Sequence, residues 1–186
     1  MRITKDPEER KQEILDTAMR LFYEKGYEKT SIADIARTIG IAQGLCYRYF
    51  PSKEALFDSA IEHYADTLVS RLSKPLSEPC PTLRQFIETM PLIIEDDTDT
   101  YYKTLHVTEN QKFHDQLTLK VCEKLSTEVA ALLSRAKDNG EIDIEDIDAA
   151  ALFCVYGQIG ILLNERWSIE EKQQRIRSFL IYALHL

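Results

Sequence analysis

The chain has 186 residues, 44% of them apolar, with only 6 glycines and 6 prolines and a net charge of −8. This composition excludes a disordered chain, and the length is enough for a buried core in one or two domains. No run of about 18 apolar residues is present and the N-terminus has no apolar signal core, so neither a membrane span nor secretion is expected.

In chain order, Asp6-Pro7-Glu8-Glu9 has the form of a helix start, with a capping acid, a proline in the first turn and further acids beside it. Ile14, Ala18, Leu21 and Phe22 then recur at i, i+4, i+7 and i+8, which gives the helix one buried face before Gly26 closes it. Arg2, Lys5, Arg10 and Lys11 are either a solvated end or a first turn that touches a DNA backbone.

Ser31 and Asp34 form a capping-box pattern ahead of a second helix, with Ile32, Ile35, Ala36 and Ile39 on one face. Gly40 tolerates a positive φ, so Ile39-Gly40-Ile41-Ala42 is read as the tight turn of a helix-turn-helix with Ile41 plugging the angle. A third helix, Gln43 to Phe50, has Gln43, Gly44, Tyr47, Arg48 and Tyr49 for hydrogen bonding and close approach, and Leu45, Cys46 and Phe50 for packing. A recognition helix in a major groove needs that division. Pro51 ends it, Ser52 caps the next helix, and Lys53 lies at the positive end of that helix, where a phosphate can be held.

Beyond Ser52, an apolar stripe from Leu56 to Leu72 predicts one continuous connector helix to about Ser73. The proline-rich stretch 74–81 reads as a loop, and Thr82 to Ile94 as a helix interrupted at Met90-Pro91. Residues 95–99 form an acidic turn that lacks the ligand alternation and glycine of a calcium loop. Helices are predicted from Tyr101 to about Asn110 and from Asp115 to Lys137, the latter stopped by Asn139-Gly140. Glu145 to Asn164 is apolar on all sides and is expected to be buried on all sides, with Gly157 and Gly160 marking a close helix contact. The last helix, Ile169 to about Leu184, is two-faced. The fold class is therefore all-α: a three-helix helix-turn-helix domain over 1–51, then the connector and a helical body over 52–186.

The run TSIADIARTIGIAQGLCYRYFPSKEALF resembles the N-terminal signature of the TetR family of bacterial transcriptional regulators. The resemblance rests on Thr30, Ile35-Ala36, Gly40, Gly44, Tyr47-x-Tyr49-Phe50 and Ser52-Lys53-Glu54-x-Leu56, and covers about the first third of the chain. It implies that Thr30, Ser31, Tyr47, Tyr49 and Lys53 hold phosphates of double-stranded DNA while Gln43, Gly44, Leu45 and Arg48 face base edges. Two positions depart from the family pattern. Leu45 replaces a small hydroxyl residue, and Ala42 stands where a capping serine is common. Charge does not oppose the assignment: residues 1–60 carry ten cations and ten anions, so the acidic excess lies entirely beyond them.

Nothing in the sequence supports catalysis, a cofactor or a metal. The histidines lack the HExxH spacing, and there is no GxSxG, GxGxxG or Walker loop. Cys46, Cys80, Cys122 and Cys154 include no CxxC pair, which points to a cytoplasmic protein with reduced thiols. A small-molecule effector site is expected in the body, with Tyr101, Tyr102, His106, Phe113, Cys122, Cys154, Gln158 and Trp167 as candidate lining residues. The last two helices have more apolar surface than a helical hairpin can hide. A homodimer interface is expected there, with Phe153, Gly157, Ile161, Ile176, Phe179, Leu180 and Ala183 as its candidates. The resulting expectation is a ligand-responsive repressor on a palindromic operator, the alternative being a TetR-like coactivator or adaptor that works through protein contacts.

Overall fold

The structure is a computed structural model that describes residues 5–77, 82–90 and 111–186. Among these residues the regular structure is all helical. The helices are α1 (Pro7–Lys25), α2 (Ile32–Ile39), α3 (Gln43–Tyr49), α4 (Lys53–Ser73), α5 (Leu83–Thr89), α6 (Gln111–Asp138), α7 (Ile147–Tyr156), α8 (Ile159–Leu162) and α9 (Ile169–Ala183), with a 3-10 turn (Lys74–Ser77) after α4. None of them is long and apolar enough to cross a membrane. The helix predicted over 101–110, the acidic turn 95–99 and Cys80 lie outside the described residues.

Local chemistry sets the helix ends. The Asp6 carboxylate accepts from the Glu8 N–H at 2.9 Å and Pro7 opens α1. Ser31 and Asp34 close a reciprocal capping box on α2, and Ser168 and Glu171 do the same on α9. Gly40 has φ 78°, ψ 34°, and its N–H and that of Ile41 donate to the carbonyls of Arg37 and Ala36. This left-handed cap turns the chain sharply from α2 toward α3.

The chain divides into two compact units. The first takes residues 5–67 and 111–120 of the described chain. Its core holds Ile14, Ala18, Phe22, Ile35, Cys46, Phe50, Leu56, Phe57 and Phe113. The second takes 68–77, 82–90 and 121–186, and packs Leu83, Phe86, Ile87, Leu133, Ala136, Ile142, Ala151, Ile176, Leu180 and Leu184 together. Both α4 and α6 contribute residues to each unit.

Four expectations need correction. The helix expected from Asp115 to Lys137 already includes Gln111 and runs to Asp138. The stretch 145–164 is two helices, because the first ends at Gly157, where an added Cβ would lie 2.5 Å from the Phe153 carbonyl oxygen. That contact is with the glycine's own preceding turn. Gly160 has nothing within 4 Å of such a Cβ. Nor is this stretch covered on all sides within one chain: Ala151 and Val155 are buried, while Leu152 and Leu163 are about half exposed and Phe153 is 80% exposed.

Candidate nucleic-acid interface

The seven residues of α3 and its C-cap Phe50 are sorted by their spacing. Cys46 and Phe50, four apart, point into the core of the first unit and are buried. Gln43, Gly44, Tyr47 and Arg48 lie on the opposite face and are exposed, with Leu45 and Tyr49 at the boundary. Ala42 precedes α3 without a side-chain cap, so the first amides of this helix have no side-chain partner, as expected from the missing serine. The exposed face therefore presents amide, phenol and guanidinium donors with a glycine between them, which suits a DNA groove.

The α4 helix starts beside this face. The Ser52 Oγ accepts from the Ala55 N–H at 3.1 Å. The Lys53 ammonium lies 4.1 Å from the centroid of the Tyr27 ring, and the Tyr27 hydroxyl donates to Glu54 Oε1 at 3.1 Å. Burial first, and then the Glu54 carboxylate, push the Tyr27 phenol above its ordinary pKa. The Glu54 carboxyl is held below its ordinary value by its own backbone N–H, by the Ser52 hydroxyl and by Tyr27. The Tyr27 ring also packs against Phe22 and Phe57 at 5.6 and 4.7 Å between centroids, and Phe57 in turn meets Phe113 at 6.2 Å. Sequence reasoning passed over Tyr27. The signal available was an aromatic directly after the glycine that ends α1.

One assigned DNA contact is placed differently from expectation, and a second is engaged in the helix cap that the sequence predicts. Thr30 is 1% exposed, and its hydroxyl donates to the carbonyls of Gly26 at 2.8 Å and Leu21 at 3.1 Å. Its backbone N–H donates to the Tyr27 carbonyl. Thr30 thus stitches the turn after α1 to α1 itself, with no donor left for a phosphate. Ser31 is exposed, but its hydroxyl donates to Asp34 Oδ2 at 2.5 Å while accepting from the Asp34 N–H. It works as a cap. Of the N-terminal cations, Lys5 and Arg10 both pair with Glu13, whose carboxyl is held low by the Lys5 hydrogen bond first, and Lys11 is exposed.

The described effector candidates are divided between the two units. Tyr101, Tyr102 and His106 lie outside those residues. Phe113 belongs to the aromatic core of the first unit, whereas Cys122, Cys154, Gln158 and Trp167 belong to the second. Gln158 donates to the Cys154 carbonyl at 2.6 Å, and Arg175 covers the Trp167 ring at 4.2 Å. Burial pushes the thiols of Cys122 and Cys154 up to about 11, so both are protonated and unreactive at neutral pH. No three His, Cys, Asp or Glu side chains come together as a metal site among the described residues.

The interface candidates fall into two sets. Ile176 and Leu180 are core residues of the second unit, 1% and 5% exposed, and are closed to a partner. Phe153, Gly157, Phe179 and Ala183 are exposed, Ile161 partly so, and Tyr182 joins them at 77% exposed.

Residues 14–60 match the sequence profile described as "Bacterial regulatory proteins, tetR family". The chain is 31% identical over 88 residues to the nucleoid occlusion factor SlmA of Haemophilus influenzae (strain PittGG), an alignment over 47% of this chain and 40% of that protein. The chain thus spans about two fifths of that relative's length. Among solved structures it is similar to Salmonella enterica GusR, with TM-score 0.67, 23% identity and 98% of both chains covered. It is also similar to the transcriptional regulator FadR of Bacillus subtilis in complex with stearoyl-CoA, with TM-score 0.59 and 18% identity over 93% of this chain and 97% of that one.

Proposed function

Since the chain belongs to the tetR family of bacterial regulatory proteins, we propose that it is a cytoplasmic homodimeric repressor that binds a palindromic operator and releases it when a small molecule occupies the C-terminal unit. The observation that carries this reading is the division of α3, which anchors Cys46 and Phe50 while leaving Gln43, Gly44, Tyr47 and Arg48 open to a groove. Tyr47, Tyr49 and Lys53 hold phosphates, and Gln43, Gly44, Leu45 and Arg48 read base edges. The Arg48 guanidinium is the side chain suited to a guanine.

Two copies place two such helices on half-sites about one helical turn, or a multiple of it, apart. Support for the second copy comes from Leu152, Phe153, Phe179 and Tyr182, four large apolar or aromatic side chains left open on α7 and α9 of a single chain. An effector bound more tightly by the non-binding arrangement shifts the equilibrium through α4, which contributes to both units, and lowers DNA affinity by its differential affinity. That the FadR neighbour is in complex with stearoyl-CoA supports a small-molecule effector.

The test is selection from random duplexes by the pure protein, with and without candidate ligands. An enriched inverted repeat, weakened by a ligand and lost in Arg48→Ala, supports the reading. Absence of any enriched sequence refutes it. The SlmA similarity favours a second reading, a DNA-bound protein that acts through protein contacts in nucleoid occlusion. Under that reading an operator is enriched and no ligand releases it.

A further inference from the structure

We propose that Tyr27 is the positioning residue for the phosphate contact at the start of α4, holding the Lys53 ammonium on its ring face and the Glu54 carboxylate on its hydroxyl. The proposal rests on the reading of Lys53 as a phosphate ligand. Lysine is a flexible point charge with three donors, and ordering it for one phosphate costs side-chain entropy. The Tyr27 ring, itself fixed between Phe22 and Phe57, meets the ammonium 4.1 Å from its centroid. A ring face attracts the charge without accepting a conventional hydrogen bond, so the N–H groups turned away from it stay available to an anion.

Glu54 makes the second half of the argument. It follows Lys53 directly in the first turn of α4, where a carboxylate competes with a phosphate for the cation and for the helix amides. The Tyr27 hydroxyl at 3.1 Å gives that carboxylate another partner. One side chain from the turn after α1 therefore presents the cation and restrains its neighbouring competitor. Without the hydroxyl, the carboxylate keeps only its own N–H and the Ser52 hydroxyl, and its released oxygen turns to the Lys53 ammonium and cancels the charge a phosphate requires.

The test uses the full chain and non-specific binding to a random-sequence duplex, so that no operator has to be known, and reads the dependence of log K on log salt. Lys53→Ala is expected to lower the slope by about 0.9 per head. Tyr27→Phe keeps the ring and the packing, and is expected to weaken binding about threefold per subunit at low salt, the effect of cancelling one cation about 6 Å from a phosphate in water. Adding Glu54→Gln to Tyr27→Phe is expected to restore affinity, whereas Glu54→Gln alone changes it less. Tyr27→Leu removes the platform and is expected to reproduce most of the Lys53→Ala slope change, with no further change on a Lys53→Ala background.

If Lys53→Ala lowers the slope but Tyr27→Phe binds like wild type, or Glu54→Gln fails to restore it, the positioning role is overturned and the reading of Lys53 as a phosphate ligand stands. An unchanged slope in Lys53→Ala overturns both.

Discussion

Thr30→Val separates a structural role from a DNA-contacting one. The Thr30 hydroxyl lies 2.8 Å from the Gly26 carbonyl and 3.1 Å from that of Leu21, and the residue is essentially inaccessible. A hydroxyl has one proton, so the two acceptors share it and the substitution removes about one net hydrogen bond, roughly 1 kcal/mol. The Gly26 carbonyl also loses its side-chain donor in a part-buried position, which raises the expected cost to about 1–2 kcal/mol. For a chain of this length that is about 3–6 °C in Tm. Urea and thermal unfolding followed by circular dichroism measure the loss, and the salt dependence of DNA binding, taken well below the transition, measures any phosphate contact. The structure requires lower stability with an unaltered slope. A variant of unchanged stability whose slope falls by about one charge would refute the inward placement of Thr30 and restore it to the DNA surface.

Other perturbations test the turn, the open apolar face and the capping acids. At Gly40, φ 78° is left-handed and an added Cβ meets nothing within 4 Å. Gly40→Ala is therefore expected to cost only the backbone term, about 1–2 kcal/mol by denaturation, and a neutral result would refute the left-handed turn. Phe153, 80% exposed in one chain, presents about 160 Å² that a partner can cover, worth about 4 kcal/mol per copy. Sedimentation equilibrium is expected to show a dimer whose Kd rises at least about a hundredfold in Phe153→Ala, and a wild-type monomer at micromolar concentration excludes the interface. Asp34, held low by the Ser31 hydroxyl and then the Ser31 N–H, and Glu13, held low by Lys5, both have depressed carboxyl pKa values. Their stabilisation is complete above the unfolded carboxylate value of about 4 and is lost as pH falls through the lower folded values, so unfolding midpoints stay level from neutrality to about pH 5 and decline below it. Asp34→Asn is expected to flatten that decline, and an identical acid profile in the variant would count against the capping box as its source.

Much of the head was legible before any coordinates. Helix ends depend on residues within about four positions of each other, so Asp6, Ser31 with Asp34, Gly40 and Ser52 announced their caps directly. The burial of Cys46 and Phe50 opposite Tyr47 and Arg48 followed from helical period in the same way. Sequence by itself thus determined an all-helical chain with an N-terminal helix-turn-helix and an exposed face on its third helix.

The tertiary structure decided which way the ambiguous side chains turn, because that depends on groups far off in sequence. Thr30 faces inward because the end of α1, nine residues earlier, supplies the Leu21 carbonyl. Tyr27 meets Lys53 and Glu54 only because α1 and α4 enclose the same aromatic core. The two-faced last helix was plain from its pattern, yet only packing showed that Ile176 and Leu180 fill the body while Phe179 and Tyr182 stay open. A pattern of apolar residues tells a helix how much surface to bury; which neighbour covers each side is set by contacts that no local window contains.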